Sequence, residues 1–143
     1  MHIAESTLDD NALRDLLASA RTIAVVGHSD KPWRDSYRIG AYLRAVGYTV
    51  YPVNPNLSQV LGQRVYPALA DLPEPVDIVD VFRAPEHLPS VVEETLASGG
   101  RALWTQLGVV HPTAVRRAHE AGLPAVIDLC IKVEHQRLLG GSA

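Results

Sequence analysis

Unbroken apolar runs alternate with amphipathic segments along most of this chain. An apolar run that does not alternate with polar residues is typical of a parallel strand that is covered on both faces. Such runs predict strands at residues 22–26, 48–53, 76–82, 102–106 and 125–128. The segment 57–75 has a weaker pattern, which predicts a short edge strand at 60–62 and 64–66 and one helical turn at 69–72.

The remaining segments place apolar residues at the spacing that lines one face of a helix. They predict helices at residues 7–20, 37–46 and 113–121, a helix that follows Pro85 and ends at residue 97, and a closing helix at 130–139. Thr7 and Asp10 are the expected cap pair of the first helix. Glycines follow several of the predicted ends, where a helix commonly stops.

Strands that alternate with helices at short spacing predict an α/β fold. We expect residues 1–143 to form one Rossmann-like domain of three layers, with a mostly parallel sheet of about five or six strands. In such sheets a ligand binds beyond the carboxyl ends of the strands. The loops after Gly27, Val53 and Phe82 should therefore form a single site.

Composition and charge limit the kinds of molecule that this protein is expected to bind. The chain of 143 residues is 47% hydrophobic and 20% charged, which is typical of a soluble globular protein. Its formal charge of −3 gives no general attraction to nucleic acid or to an anionic membrane, so any anion site must be local. Residues 1–6 lack the features of a secretory leader, and no apolar run approaches a membrane span, so we expect a cytoplasmic protein.

Cysteine and histidine usage excludes two kinds of site. The single cysteine, Cys130, rules out an internal disulfide framework and a multi-cysteine metal site, and it fits a reducing compartment. The six histidines show no close metal-ligand pair, so no metal is predicted. Asp77 and Asp80 interrupt one strand but point to opposite faces, which argues against a pair of catalytic carboxylates.

The segment 27–36 has the residue types of a phosphate-binding loop. Gly27 permits a sharp turn directly after the first strand. Ser29, Lys31, Arg34 and Ser36 then supply hydroxyl groups and positive charge, and the following helix would direct its positive dipole end at the loop. The alternative is an ordinary strand-to-helix turn with a solvated polar surface.

Two further basic side chains, those of His28 and Arg83, each have two possible interpretations. His28 would contact phosphate as an imidazolium, or it is merely tolerated beside the glycine. Arg83 follows the strand 76–82 directly, where its guanidinium would form forked bonds with phosphate or a salt bridge with a nearby carboxylate.

The second strand disfavours a dinucleotide cofactor. The usual fingerprint has three glycines and an acidic residue at the end of that strand, whereas this chain has Gly27 alone and the residues Val53, Asn54 and Pro55. Asn54 could bond a ribose or a base edge. Pro52, Val53 and Pro55 could form an apolar wall for an adenine.

The same loop begins like a nucleophile elbow, G-x-S-x-G, with Ser29 at the serine position. Lys31 replaces the final glycine, and the available histidines, His111 and His119, lie in or beside a late helix. Cys130, next to the end of the last strand, is either a small buried apolar side chain or a reactive thiol that faces the site.

Many ordered blocks together resemble one family. They are residues 23–27, 29–32, 34–37, 47–48, 52–56, 61–62, 66–67, 75–83, 104, 106–108, 121–123, 128, 130–132 and 134–135. In these blocks the chain resembles the small stand-alone CoA-binding proteins, which share their fold with the CoA-binding domain of the succinyl-CoA synthetase alpha subunit. The resemblance covers nearly the whole chain.

The resemblance implies a CoA site in which the loop 27–36 holds the phosphates and the loops 53–55 and 82–85 flank the adenosine. The pantetheine arm would cross the strand ends. The residues assigned to this site are Gly27, His28, Ser29, Lys31, Pro32, Arg34, Ser36, Tyr37, Val53, Asn54, Pro55, Phe82, Arg83, Pro85 and Gln106. Leu129 and Thr105 depart from the basic residue and the methionine expected there, which affects contacts at the late strands.

The sequence thus favours a protein that binds CoA or an acyl-CoA and has no catalytic residues of its own. The synthetase's second domain, with its phosphorylated histidine, has no counterpart here, so ligase activity is not implied. The alternative is an enzyme, either dependent on NAD or NADP or a thioesterase-like hydrolase that uses Ser29 or Cys130. The acyl group, the protein partner and the oligomeric state are not specified by the sequence.

Overall fold

The computed structural model of this protein describes residue 6 and residues 8–140. Its strands are β1 (Thr22–Val26), β2 (Thr49–Val53), β3 (Gln59–Val60), β4 (Gln63–Arg64), β5 (Ile78–Val81), β6 (Leu103–Thr105) and β7 (Ala125–Val126). Its α-helices are α1 (Asp10–Ser19), α2 (Asp35–Ala45), α3 (Leu88–Ser98), α4 (Pro112–Glu120) and α5 (Ile131–Leu139). Short 3-10 turns lie at Leu69–Asp71 and Pro85–His87.

Five of the strands form one parallel sheet in the order β2-β1-β5-β6-β7. The central strands β1 and β5 are buried along their whole length, because helices cover both faces. This is the predicted three-layer Rossmann-like fold. The strand order reverses beside β1, since the chain runs first to β2 on one side and then to β5 on the other.

Each face of the sheet has its own apolar core. One core contains Leu17, Ile39 and Ile131, so α1, α2 and α5 cover that face. The other contains Val92 and Val115, so α3 and α4 cover the opposite face. Among the described helices, none combines the length and apolar character that a bilayer span requires.

The predicted edge strand at 60–62 and 64–66 is only partly correct, because β3 and β4 form a separate antiparallel hairpin. Leu61 and Gly62 form its turn with φ of 51° and 74°, the left-handed geometry of a tight hairpin turn. Tyr66 then makes an isolated parallel bridge to Val53. The hairpin therefore lies beside β2 without extending the sheet.

Two helix starts also differ from the prediction. Asp9 caps α1 by accepting a hydrogen bond from Ala12 N at 2.9 Å, and Thr7 lies outside the described residues. Helix α2 begins at Asp35, two residues before the predicted start at Tyr37. Asp35 and Ser36 thereby belong to the first turn of the helix that follows the polar loop.

Candidate functional site

A cavity of about 780 Å³ opens at the carboxyl edge of the sheet. Pockets that bind small ligands commonly have volumes of roughly 300–1,000 Å³. The lining residues come from the ends of four neighbouring strands and from the first turns of α2 and α5: Gly27, Ser29, Asp30, Lys31, Arg34, Asp35, Ser36, Ile39, Asn54, Asn56, Leu57, Phe82, Gln106, Leu107, Val109, Cys130 and Val133.

Gly27 brings the backbone of β1 close to β5 at the cavity floor. It has φ of 88°, and a Cβ placed on it would lie 3.2 Å from Arg83 Cγ and 3.3 Å from the carbonyl carbon of Phe82. A side chain here would be strained by its φ and crowded by its neighbours. The glycine therefore lets the loop turn sharply above the sheet edge.

Two serines hold the loop after Gly27 in shape. Ser36 Oγ accepts a hydrogen bond from Ser29 N at 2.9 Å, and Ser29 Oγ accepts one from Lys31 N at 3.0 Å. Because each hydroxyl acts as an acceptor within the loop, its hydrogen can be donated to an oxygen of a ligand. The predicted hydroxyl donors thus line the cavity in a fixed arrangement.

The start of α2 gives this part of the cavity positive potential. The hydrogen bond from Arg38 N to Arg34 O is the first of the helix, so the N–H groups of residues 35–37 precede it and lack intrahelical partners. Arg34 forms no ion pair with any residue that the structure describes. Its charge and the helix dipole together favour an anion.

Two carboxylates in the lining are each paired with a cation. Asp35 bonds Arg38, which lies outside the cavity lining, so this acidic charge is balanced. Asp30 lies 3.9 Å from Lys31 Nζ in a solvent-exposed pair, which contributes little because water screens it. Lys31 can therefore turn to a ligand phosphate at small cost.

His28, for which a phosphate contact as an imidazolium is predicted, does not line the cavity. His28 is fully buried beneath the loop, where its Nδ1 lies 2.9 Å from Ser29 O and its Nε2 lies 3.2 Å from Arg44 Nη1. Burial lowers the pKa of His28 to about 4, so the ring is neutral near pH 7. Its Nδ1–H then donates to Ser29 O while Nε2 accepts from Arg44.

Gly40 makes room for this buried ring. A Cβ on Gly40 would lie 2.4 Å from His28 Nε2, closer than atoms can approach. Helix α2 can therefore pack directly over the imidazole. His28 acts as a support of the loop from below.

The loop after β2 contributes the predicted Asn54 and two residues that were not predicted, Asn56 and Leu57. Asn54 lines the cavity, but its Nδ2 donates to His28 O at 3.0 Å and its Oδ1 accepts from Asn56 N at 2.8 Å, which ties this loop to the first one. Val53 is buried in the core and does not line the cavity. Leu57 and Asn56 line the cavity at this end instead.

The loops after β6 and β7 are fastened to each other. Asp128 N donates to Thr105 Oγ1 at 2.9 Å, and Asp128 Oδ1 accepts from Gly108 N at 2.7 Å. The φ of Asp128 is 63°, a strained value that these bonds maintain. Trp104 Nε1 also donates to Leu129 O at 2.8 Å, so the residues before Cys130 have a fixed position.

This end of the cavity is largely apolar. Phe82 and Val109 belong to its lining, as do Leu107 and Val133, which have exposed fractions of 69% and 53%. Cys130 is half-buried in the same lining. An apolar portion of a ligand would shield these side chains from water.

Gln106 joins the cavity to a buried acid. It is 5% exposed and lines the cavity, while its Nε2 donates to Asp80 Oδ1 at 2.5 Å. Asp80 is fully buried in the centre of the sheet, and its Oδ2 has no hydrogen-bond partner among the described residues. Burial raises the pKa of Asp80 to about 8.

Five other predicted residues lie near the cavity without lining it: Pro32, Tyr37, Pro55, Arg83 and Pro85. Arg83 packs its aliphatic stem beside Gly27 and forms no ion pair with the part of the chain that the structure describes. Tyr37 places its ring edge-on to His28, with 6.4 Å between centroids. Whether these five residues contact a ligand stays a prediction.

The geometry around Ser29 does not assemble a nucleophile and a base. Its Oγ accepts from a backbone N–H, and none of the described lining residues is a histidine. His111 instead caps α4, where its Nδ1 accepts from Ala114 N at 3.2 Å. Within residues 6 and 8–140, no group of acids, cysteines and histidines has the arrangement of a metal site.

Sequence reasoning missed several lining residues, chiefly Asp30, Asp35, Ile39, Asn56, Leu57, Leu107, Val109 and Val133, and did not assign Cys130 to the ligand site. The earlier start of α2 accounts for Asp35. Leu107 and Val133 could have been predicted from the sequence, because a large apolar residue in a loop or on a polar helix face often marks a binding surface.

A family model, a relative and a solved structure each resemble this chain over most of its length. A family model described as a CoA binding domain matches residues 21–136. YneT of Bacillus subtilis is 39% identical over 123 residues, which are 86% of this chain and 91% of YneT. A solved structure of a hypothetical protein from Pyrococcus horikoshii has a TM-score of 0.91 and 40% identity, over 94% of each chain.

A larger enzyme shares part of the chain. The ADP-forming acetate–CoA ligase II of Archaeoglobus fulgidus is 32% identical over 89 residues, which are 61% of this chain. Those residues are 13% of the ligase. The similarity therefore concerns one portion of that protein.

Proposed function

This chain belongs to the CoA-binding domain family, and we propose that it binds CoA or an acyl-CoA in the cavity at the carboxyl edge of its sheet. The resemblance inferred from the sequence is thereby confirmed at the level of the family. We further propose that residues 1–143 act as one binding domain without chemistry of their own.

The main support for this proposal is that a cationic loop lines a cavity large enough for a ligand. Lys31, Arg34 and the first turn of α2 converge beside β1, where the strand order reverses. Ligands of open α/β sheets bind at this position. The ligand's phosphates would accept hydrogen bonds from Ser29, Ser36 and the free N–H groups of the helix.

The strand order suggests how the rest of CoA would lie. Asn56 and Leu57, beside β2, would contact the adenosine, and the phosphates would occupy the loop after β1. The pantetheine arm would then run past Phe82 and Gln106 toward Cys130. In this pose the polar end of the ligand meets the cations and its arm meets the apolar lining.

A thermal-shift panel tests the class of ligand. CoA, acetyl-CoA, NAD, NADP and ATP would be compared at equal concentration. A ligand at 100 times its dissociation constant stabilises the folded state by about 2.7 kcal/mol, so we expect a clear rise in Tm with CoA and acetyl-CoA. A rise with NAD or NADP and none with CoA would contradict the proposal.

A double variant, Lys31→Ala with Arg34→Ala, tests the phosphate subsite. We expect CoA affinity to fall by about tenfold or more, because two charge-assisted contacts are lost, and the dependence of affinity on salt to weaken. Isothermal titration calorimetry at several salt concentrations measures both effects.

The matched control removes two arginines from helices that do not line the cavity, Arg14→Ala with Arg116→Ala. It gives the same net charge and should keep the affinity. If both double variants bind CoA equally well, the loop is not the phosphate site.

A further inference from the structure

Asp80 is a buried polar group for which the fold offers no structural reason. It lies on β5 between Val25 of β1 and Trp104 of β6, with none of its surface exposed. Its Oδ2 lacks a partner among the described residues. A buried group without a partner costs stability, so an apolar side chain would suit this position better if packing alone mattered.

Among the described residues, Asp80 has one side-chain hydrogen bond, and it connects Asp80 to the ligand cavity. Gln106 Nε2 donates to Asp80 Oδ1, and Gln106 lines the cavity. Because Gln106 Nε2 faces Asp80 Oδ1, the oxygen of the carboxamide faces away from Asp80. No described residue donates a hydrogen bond to Gln106 Oε1.

Gln106 thus presents an unused acceptor to a ligand. An acceptor oxygen repels phosphate and pairs with an N–H donor. Gln106 follows β6, which lies two strands from the phosphate loop after β1, a distance of about 10 Å. The pantetheine arm of CoA, which the proposed function places here, carries two amide N–H groups.

We propose that Asp80 is a positioning residue that holds the Gln106 carboxamide so that its oxygen accepts a hydrogen bond from an amide N–H of the pantetheine arm. The pair distinguishes a ligand that carries this arm from one that has the nucleotide alone. This inference rests on the proposed function and adds a determinant of specificity to it.

Affinities for CoA and for adenosine 3′,5′-bisphosphate, which lacks the arm, test the inference. Asp80→Leu frees the carboxamide, so we expect CoA affinity to fall about fivefold to tenfold while affinity for the bisphosphate stays within about twofold. Asp80→Asn restores CoA affinity, because its amide oxygen again accepts from Gln106 Nε2. Gln106→Leu should reproduce the loss selective for CoA, and it keeps the inference testable if Asp80→Leu does not fold.

The control is Thr95→Val, a change of a fully buried polar residue that does not line the cavity. It should leave both affinities unchanged. In the NMR spectrum, the Gln106 side-chain NH₂ signals should shift in Asp80→Leu and return toward their wild-type positions in Asp80→Asn.

Three results would overturn the inference while leaving CoA binding intact: equal losses for CoA and the bisphosphate, a loss in Asp80→Asn as large as in Asp80→Leu, or no loss in Gln106→Leu. A wild-type protein that binds neither ligand would overturn the proposed function, and this inference with it.

Discussion

His28 shows how one residue can support a ligand loop without touching the ligand. Its ring lies under the loop, bonded to Ser29 O on one side and to Arg44 on the other, and Gly40 leaves the space that it fills. A neutral imidazole satisfies both partners, whereas an imidazolium would place a second positive charge beside Arg44. The loop geometry therefore depends on a histidine that stays unprotonated.

The pH dependence of stability tests this role. The folded-state pKa of His28 is about 4, below its ordinary value of 6.5. Above pH 6.5 the neutral ring contributes its full stabilisation, which is lost as the pH falls from 6.5 to 4, because the unfolded chain takes up the proton first. Relative to His28→Gln, the wild type should lose up to about 1.4 kcal/mol of unfolding free energy per pH unit in this window.

Urea denaturation at several pH values measures this difference. His119→Gln, at an exposed position, is the matched control and should follow the wild-type profile. Parallel profiles for the wild type and His28→Gln would show that the ring does not remain neutral in the folded protein.

At the scale of elements, the loops after β6 and β7 and the start of α5 form a fixed apolar rim. The bonds of Asp128 to Thr105 and Gly108 join the two loops. Leu107 and Val133 remain exposed at the rim, although helix and loop could have carried polar residues there. Such exposure suits the methylene groups of an acyl chain attached to the CoA thiol.

Affinity should therefore rise with acyl chain length from acetyl-CoA to hexanoyl-CoA. Each methylene that becomes fully buried adds about 0.8 kcal/mol, so we expect roughly a fourfold gain per buried methylene. Leu107→Ser with Val133→Ser should flatten the series, as measured by calorimetry.

Val46→Ser, at an exposed apolar residue outside the cavity lining, is the control and should keep the wild-type series. An affinity independent of chain length in the wild type would show that the rim does not receive the acyl group.

The elements differ in how far the sequence could predict them. The central strands and the Gly27 loop carry local signals, since an apolar run must be buried and a glycine must mark the turn. The β3–β4 hairpin cannot be distinguished from an edge strand by local sequence, because its short strands have the same residue types as an edge. The burial of His28 depends on Gly40 and Arg44, which only the packing of α2 brings beneath the loop.

The residues of the site also differ in whether local sequence or tertiary packing brings them to the cavity. Ser29, Lys31, Arg34 and Ser36 follow one another in a single loop and could be predicted together. Val133 reaches the cavity because α5 crosses back over the sheet to pack beside α1 and α2, a path that local sequence does not determine. Lining residues from late elements were therefore missed.

At the scale of the whole molecule, the strand order β2-β1-β5-β6-β7 gathers the functional loops at one edge. The loop after β1 supplies cations, the loop after β2 braces it through Asn54, and the loops after β5, β6 and β7 supply the apolar floor. The cavity thus changes from cationic beside β1 to apolar toward β7. This gradient matches a ligand in which charged phosphates are followed by a pantetheine arm.

A crystal structure of the protein with CoA tests this account most directly. We expect the CoA phosphates within hydrogen-bond distance of Ser29, Ser36 and the first turn of α2, and the pantetheine arm beside Gln106. Density for CoA at another surface, or an empty cavity in crystals soaked at a CoA concentration that saturates binding in solution, would contradict it.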